Sequence, residues 1–130
     1  MNELIWEFRV KCFDVTKKYE VDSAYELEDL CHFILESFDF DNDHPHQFYL
    51  SRSDRPYSRD MLEINSSKKL NDVFPKLDKR SLFLLFDFGD EWVFKISKTA
   101  KKIDFVTGKR YPVVTEEKGK NPRQYPSCED

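Results

Sequence analysis

Residues 82–96, with the sequence LFLLFDFGDEWVFKI, decide the fold because they are typical of two apolar strands joined by one tight turn. Glycine at the first of two central positions is the signature of a type II′ turn, so Gly89 and Asp90 predict a β-hairpin. The predicted pairs are Phe88 with Glu91, Asp87 with Trp92, Leu85 with Phe94 and Phe83 with Ile96. One hairpin face is then apolar except for Asp87, whose carboxylate needs a partner because an unpaired buried charge is costly.

Two stretches before the hairpin predict a strand and a helix that pack with it. Residues 5–13 alternate between apolar and charged side chains, which indicates a half-buried antiparallel strand. Ser23 and Glu26 have the spacing of a capping box and predict the start of a helix. The apolar positions of that helix recur every three or four residues, which predicts a single stripe packed on the sheet. The stripe is Leu27, Leu30, Cys31, Ile34, Leu35 and Phe38.

The predicted fold is α+β, with a mostly antiparallel sheet of about five strands and one main amphipathic helix on one face. A turn at residues 14–17 leads to a short second strand from Tyr19, and a third strand begins near His46. Residues 51–65 are polar and predict a long exposed loop, and a short helix ends at Pro75. The element order is β-β-α-β-(short α)-β-β. Residues 1–114 form a single α+β domain, and residues 115–130 form a charged, proline-containing C-terminal tail.

Composition limits the possible functions. The 130-residue chain has a net charge of −4, which is not the overall charge of a nucleic-acid-binding protein, although a local basic patch remains open. Its three cysteines include no CxxC pair, which disfavours a cysteine zinc site or a dithiol redox site. Neither a signal peptide nor a membrane span is predicted. We therefore expect a cytoplasmic protein with no membrane partner.

Three motifs carry a resemblance that covers nearly the whole chain. They are Asp43, His44, His46 and Phe48; then Phe88, Gly89, Asp90, Trp92 and Ile96; then Lys118, Gly119, Pro122, Tyr125 and Pro126. In this order they resemble the plasmid pRiA4b open-reading-frame-three-like family, whose members are often described as passenger proteins of transposable elements. The resemblance implies the family's fold and a bacterial or mobile-element setting, and it implies no reaction.

Carboxylates and imidazoles are concentrated in residues 41–46, DNDHPH. Such ligands suit a divalent metal, and side chains two apart on a strand point the same way, so His44 and His46 could share a site with Asp43. The favoured alternative is structural, with aspartates shaping a turn and His46 bonded to Asp87 or to backbone. We assign no catalytic residue, since no serine or cysteine nucleophile accompanies the histidines. The candidate functional cluster is Asp43, His44, His46, Asp87, Asp90 and Trp92, and its candidate metal ligands are Asp43, His44 and His46.

Basic residues in the last third of the chain are candidate nucleic-acid contacts, although lysines on a sheet edge also prevent aggregation. The candidates are Lys101, Lys102, Lys109 and Arg110. The leading interpretation is a small cytoplasmic binding or adaptor domain with a protein partner and no cofactor, associated with a plasmid or mobile element. The alternatives are a metal-dependent enzyme, or a nucleic-acid-binding accessory protein, that uses the cluster of Asp43, His44, His46, Asp87 and Asp90.

Overall fold

A computed structural model describes residues 4–55 and 59–125, so Pro126 and Cys128 lie outside the described residues. These residues form one antiparallel sheet of seven strands in the order β4-β3-β5-β6-β1-β2-β7. The strands are β1 (Ile5–Cys12), β2 (Val15–Asp22), β3 (His46–Ser51), β4 (Leu62–Ile64), β5 (Ser81–Phe86), β6 (Trp92–Ile103) and β7 (Val113–Lys118). The helices are α1 (Leu27–Ser37) and α2 (Leu70–Val73), the latter continued by a 3-10 turn at Phe74–Lys76.

The predicted antiparallel α+β architecture is confirmed, but the predicted count of five strands is wrong. Strand β4 lies inside the predicted loop at residues 51–65, and β7 crosses residue 114, where the sequence analysis divides domain from tail. Both extra strands lie at sheet edges, where pairing on one side is enough to form a short strand. The helices also differ in detail, since α2 has only 4 residues and runs directly into the 3-10 turn.

The apolar stripe of α1 is confirmed. All six predicted positions are at most 1% exposed, and they pack in one core with side chains of the sheet such as Phe8, Phe48 and Phe94. A side chain of this kind stabilises the fold by roughly 1.5–3 kcal/mol when it is fully buried. We name this side of the sheet the inner face and the opposite side the outer face.

The predicted capping box at the start of α1 is wrong. The helix begins after Glu26, which makes no side-chain cap. Instead, the N–H groups of Leu27 and Glu28 donate to the carbonyl oxygens of Lys68 and Ser66 at 2.9 and 2.8 Å. The orphan donors of a helix terminus can be satisfied by any nearby acceptor, and here a distant segment supplies them.

Strand β2 begins earlier than predicted. Cys12 pairs with Val15, so only Phe13 and Asp14 form the turn, and residues predicted as a turn are in the strand. Phe13 has a φ of 54°, a conformation that bulky residues rarely adopt. The early start sets the faces of the strand, because side chains alternate: Lys17 points to the inner face, and Thr16 and Lys18 point to the outer face.

The hairpin of β5 and β6 has a register one residue away from the predicted one. Phe86 pairs with Trp92, Leu84 with Phe94 and Leu82 with Ile96. The connection is a five-residue loop, because Asp87 adopts a φ of 63° and leaves the strand. The Asp87 carbonyl accepts from the Glu91 N–H at 2.6 Å, and its carboxylate accepts from the Gly89 and Asp90 N–H groups at 3.2 and 3.3 Å.

This one-residue shift moves side chains to the opposite face. Phe83 and Leu85, predicted to share a face with Phe94, instead form a second cluster with Tyr49, against which Met61 and Val93 pack. Leu82, Leu84 and Phe86 join the main core in their place. The β5 strand is therefore covered on both faces, which explains why Leu82–Phe86 is an uninterrupted apolar run.

Lys17 is a buried cation that joins three elements. It is 2% exposed, and its ammonium donates to the Ser37 carbonyl at the end of α1 at 2.7 Å and to the Glu117 carboxylate on β7 at 2.6 Å. It also lies 4.8 Å from the centre of the Phe38 ring. Helix α1 has no basic residue in its last turn, so Lys17 supplies the positive charge that a helix C-terminus favours.

We expect Phe94→Ala to lower the free energy of unfolding by about 3–5 kcal/mol, because it opens a cavity where Phe38 and Phe40 pack. The matched control is Phe105→Ala, since Phe105 is 45% exposed and should change stability by less than about 0.5 kcal/mol. Urea unfolding measures both. Equal losses in the two variants would contradict this description of the core.

We expect Lys17→Met to cost about 1–3 kcal/mol of stability, because it removes the charged hydrogen bonds to Ser37 and Glu117. Lys18→Met is the control: it lies next in the chain but on the outer face, and its ion pair with Glu116 is longer at 3.6 Å. Surface pairs of this kind contribute about 0–1 kcal/mol. Unfolding curves showing the larger loss for Lys18→Met would refute the assigned β2 register.

Candidate functional site

His44 contacts two other members of the predicted cluster. Its Nε2 is 2.7 Å from the Tyr125 hydroxyl, 3.4 Å from Asp87 Oδ2 and 3.8 Å from Asp43 Oδ1. The Tyr125 hydroxyl in turn donates to Asp43 Oδ2 at 2.7 Å. The predicted neighbours Asp43, His44 and Asp87 are therefore brought together, with Tyr125 as an additional member.

His46 does not join this group. It is the first residue of β3, and its Nε2 contacts Glu28 Oε1 of α1 at 3.0 Å instead of Asp87. Burial raises the pKa of the Glu28 carboxyl, but the hydrogen bond from Ser66 and the contact with His46 outweigh burial and lower that pKa. His44 and His46 therefore contact different acids, and the chain is not in a strand at His44.

Trp92 and Asp90 have different surroundings from the histidines. The Trp92 ring packs edge-on against Phe40 at 4.8 Å and against Phe13 at 5.6 Å between centroids. Asp90 lies in the hairpin loop, where its N–H is held by Asp87. Within residues 4–55 and 59–125, no three His, Cys, Asp or Glu residues are grouped so that they could hold a metal ion.

Residues 124 and 125 contact residues 41–44, and no pattern in the sequence indicates this. Gln124 is 8% exposed, and its amide forms two hydrogen bonds with the backbone of Asp41, accepting from the N–H at 2.7 Å and donating to the carbonyl at 3.0 Å. Its Nε2 also lies 3.2 Å from Asp43 Oδ1. Together with Tyr125, it fastens the chain beyond β7 to the segment between α1 and β3. The contacting residues are 81 to 83 positions apart in the chain, so a polar stretch of sequence does not reveal that they meet.

The outer face of the sheet carries a concentration of positive charge that the sequence analysis did not identify. Neighbouring strands place Lys95, Lys11, Thr16 and Lys118 in one row, and Ser97, Arg9, Lys18 and Glu116 in the next. These eight residues line an open concavity of about 520 Å³. We name this surface the cationic face. It holds five basic side chains and one acid in a chain whose net charge is −4.

Two cross-strand pairs on the cationic face have like charge. Lys11 is directly opposite Lys95, and Arg9 is directly opposite Lys18. Like charges in these positions destabilise a sheet. Two acids form long ion pairs with these bases: the half-buried Glu116 is 3.6 Å from Lys18 and 3.7 Å from Lys118, and the exposed Asp54 is 3.8 Å from Lys95.

The next outer-face pair along β1 and β2 consists of two negatively charged residues. Glu7 is directly opposite Glu20, but each acid has its own lysine. Lys101 is 3.6 Å from Glu7, and Lys109 is 2.8 Å from Glu20. Two of the four predicted nucleic-acid contacts are thus engaged in neutralising these acids, while Lys102 and Arg110 are exposed. Of these ion pairs, Lys109 with Glu20 is the shortest, and Lys101 with Glu7 is as long as Lys18 with Glu116.

A second concavity of about 360 Å³ continues the cationic face toward the β1–β2 turn. The two share Lys11 and Lys95. The second adds Phe13, Phe83 and Val93, together with the acids Asp54 and Glu91. Phe13 is 68% exposed, whereas Phe83 is 1% exposed. The cationic face thus ends at the β1–β2 turn, where the accessible Phe13 ring lies with Trp92 on one side and the second concavity on the other.

Comparisons with known proteins identify the fold more clearly than the activity. The model of a family described as plasmid pRiA4b ORF-3-like protein matches residues 9–125. The crystal structure of a protein of unknown function from Methanosarcina mazei Go1 is similar, with a TM-score of 0.70 and 21% identity over 90% of this chain and 71% of that chain. No curated protein matches the chain. In the described residues, no helix is long and apolar enough to span a membrane.

The hydrogen bond that Tyr125 donates to Asp43 raises the pKa of its phenol to about 12, aided by burial and by the charges of Asp43, Asp87 and Asp90. A tyrosine in an unfolded chain has a pKa of about 10. The folded state therefore holds the proton more tightly. The stability contributed by this proton is present below about pH 10 and is lost as the pH rises through the folded pKa.

We expect Asp43→Asn to lower the pKa of Tyr125 toward about 10, because the neutral amide accepts a weaker hydrogen bond. NMR titration of labelled tyrosine measures it, with Tyr125→Phe identifying the signal. The control is Asp41→Asn, since Asp41 contacts Gln124 through its backbone. A pKa that stays near 12 in Asp43→Asn would contradict the Tyr125 contact.

Proposed function

Because the chain belongs to the plasmid pRiA4b ORF-3-like protein family and has a cationic outer face, we propose that it is a small binding domain whose anionic partner binds there. The observation that carries this proposal is that two cross-strand pairs consist of positively charged residues, Lys11 with Lys95 and Arg9 with Lys18. Like charges directly opposite each other destabilise a sheet. Residue choices that lower stability in this way are concentrated at functional sites.

The surroundings of His44 support a structural role for this residue. Its Nε2 contacts the Tyr125 hydroxyl, Tyr125 donates to Asp43, and the Asp87 carboxylate accepts N–H groups of its own loop. Each of these groups is engaged in holding backbone segments together. These contacts support a structural role for this part of the predicted cluster, because Asp43, His44 and Asp87 join the hairpin loop to the chain beyond β7.

The setting of the proposal is the one predicted from the sequence: a cytoplasmic protein associated with a plasmid or mobile element. The sequence predicts a protein as the leading partner. An acidic protein would fit the charge of the cationic face as well as any other polyanion. The partner is therefore defined here by its negative charge and by the surface to which it binds. The predicted metal-dependent enzyme would need several ligands around one ion. In the described residues, His44 contacts Asp87 whereas His46 contacts Glu28.

We expect inorganic polyphosphate, added at an ionic strength of about 20 mM, to shift backbone amide NMR signals of the outer positions on β1, β2 and β6. Lys11→Gln with Lys95→Gln should remove most of this binding. The matched control is Lys76→Gln with Lys79→Gln, because both lysines are exposed and lie outside the cationic face. Shifts centred on Lys102 and Arg110 instead, or no shift at low salt, would overturn the proposal.

A further inference from the structure

We propose that the ligand of the cationic face is single-stranded nucleic acid, whose phosphates contact Arg9, Lys11 and Lys95 while one base stacks on Phe13. This inference rests on the proposed function and names its partner. Single-strand binding surfaces combine a positively charged groove with aromatic rings on which bases stack. Both parts are present here, since the cationic concavity and the concavity lined by Phe13 share Lys11 and Lys95.

The position of the face in the sheet argues against a peptide ligand. Peptides that bind to sheets usually add a strand at an exposed edge through main-chain hydrogen bonds. Strands β6, β1 and β2 are each paired on both sides, so their backbone groups are already used. Recognition on this face must come from side chains, and most of these carry a positive charge. Such a surface suits a ligand with a regularly charged backbone.

Phe13 gives a reason to favour nucleic acid over an acidic protein. A phenylalanine at a φ of 54° is an unfavourable choice for a two-residue turn, where glycine or asparagine would fit without strain. It is nevertheless 68% exposed, with its ring held at 5.6 Å from that of Trp92. An acidic stretch of protein offers carboxylates to the lysines, whereas an unpaired base also offers a flat ring that stacks on an aromatic side chain.

The accessible ring also favours a single strand over a duplex. Bases in a duplex are stacked on their neighbours, and only unpaired bases present a free face to an aromatic side chain. The cationic rows extend over four strands, which lie about 4.8 Å apart, so the face covers only a few nucleotides. We therefore expect a short site with little sequence preference.

The test uses the full chain and a labelled single-stranded oligonucleotide of mixed sequence, with binding followed by fluorescence anisotropy at several salt concentrations. Phe13→Asn should weaken binding by at least about fivefold, in keeping with the loss of one stacked base. Phe105→Asn is the control, because Phe105 is also exposed but lies near Tyr111, away from the cationic face. Lys11→Gln with Lys95→Gln should reduce the slope of log affinity against log salt by about 1.4, or about 0.7 per phosphate.

Competition by a polyglutamate peptide and by a duplex of the same sequence separates the possible failures. If polyglutamate displaces the oligonucleotide at equal charge and Phe13→Asn has no effect, the cationic face binds acidic proteins and the nucleic-acid inference is wrong while the proposed function stands. If the duplex binds more tightly than the single strand, stacking on Phe13 is refuted. If neither polyphosphate nor the oligonucleotide binds at low salt, both proposals fail.

Discussion

The buried ammonium of Lys17 is the constraint on which the rest of the structure depends. One side chain on β2 connects the end of α1, the Phe38 ring and β7 through Ser37, Phe38 and Glu117. A charge in the interior must keep its partners, so the strand cannot slip by one residue without leaving it unpaired. With Lys17 fixed on the inner face, Thr16 and Lys18 are necessarily on the outer face. The core and the cationic face are therefore set by the same register.

Features that depend on local signals were predictable from the sequence. The stripe of α1 has a period that only a helix satisfies, and the alternation around Phe8 and Val10 indicates a strand with one buried side. The antiparallel α+β architecture follows from these two elements and the hairpin. Features that depend on distant partners were missed. The start of α1 is capped by Lys68 and Ser66, and neither is recognisable from the residues next to the helix.

The hairpin shows how a correct element can have a wrong register. Gly89 and Asp90 indicated a turn, and a turn is present, but the left-handed conformations fall on Asp87 and Glu91. Aspartate tolerates that conformation, and its carboxylate can hold loop N–H groups, so the position of glycine alone does not determine this turn. The cationic face was missed for a related reason. Its pairs join residues 9 apart and 84 apart in sequence, Arg9 with Lys18 and Lys11 with Lys95, so they exist only once the register of three strands is known.

The position of β7 has a consequence for the order in which the protein is made. Strand β2 lies between β1 and β7, so while residues 113–118 are still inside the ribosome it presents an open edge, and Lys17 lacks its carboxylate partner. Open strand edges are where incomplete chains associate with one another. Closing this edge also brings in Lys118 and so completes the outer surface. A nascent chain thus acquires its seventh strand and the last lysine of its outer surface in one step, when residues 113–118 dock on β2.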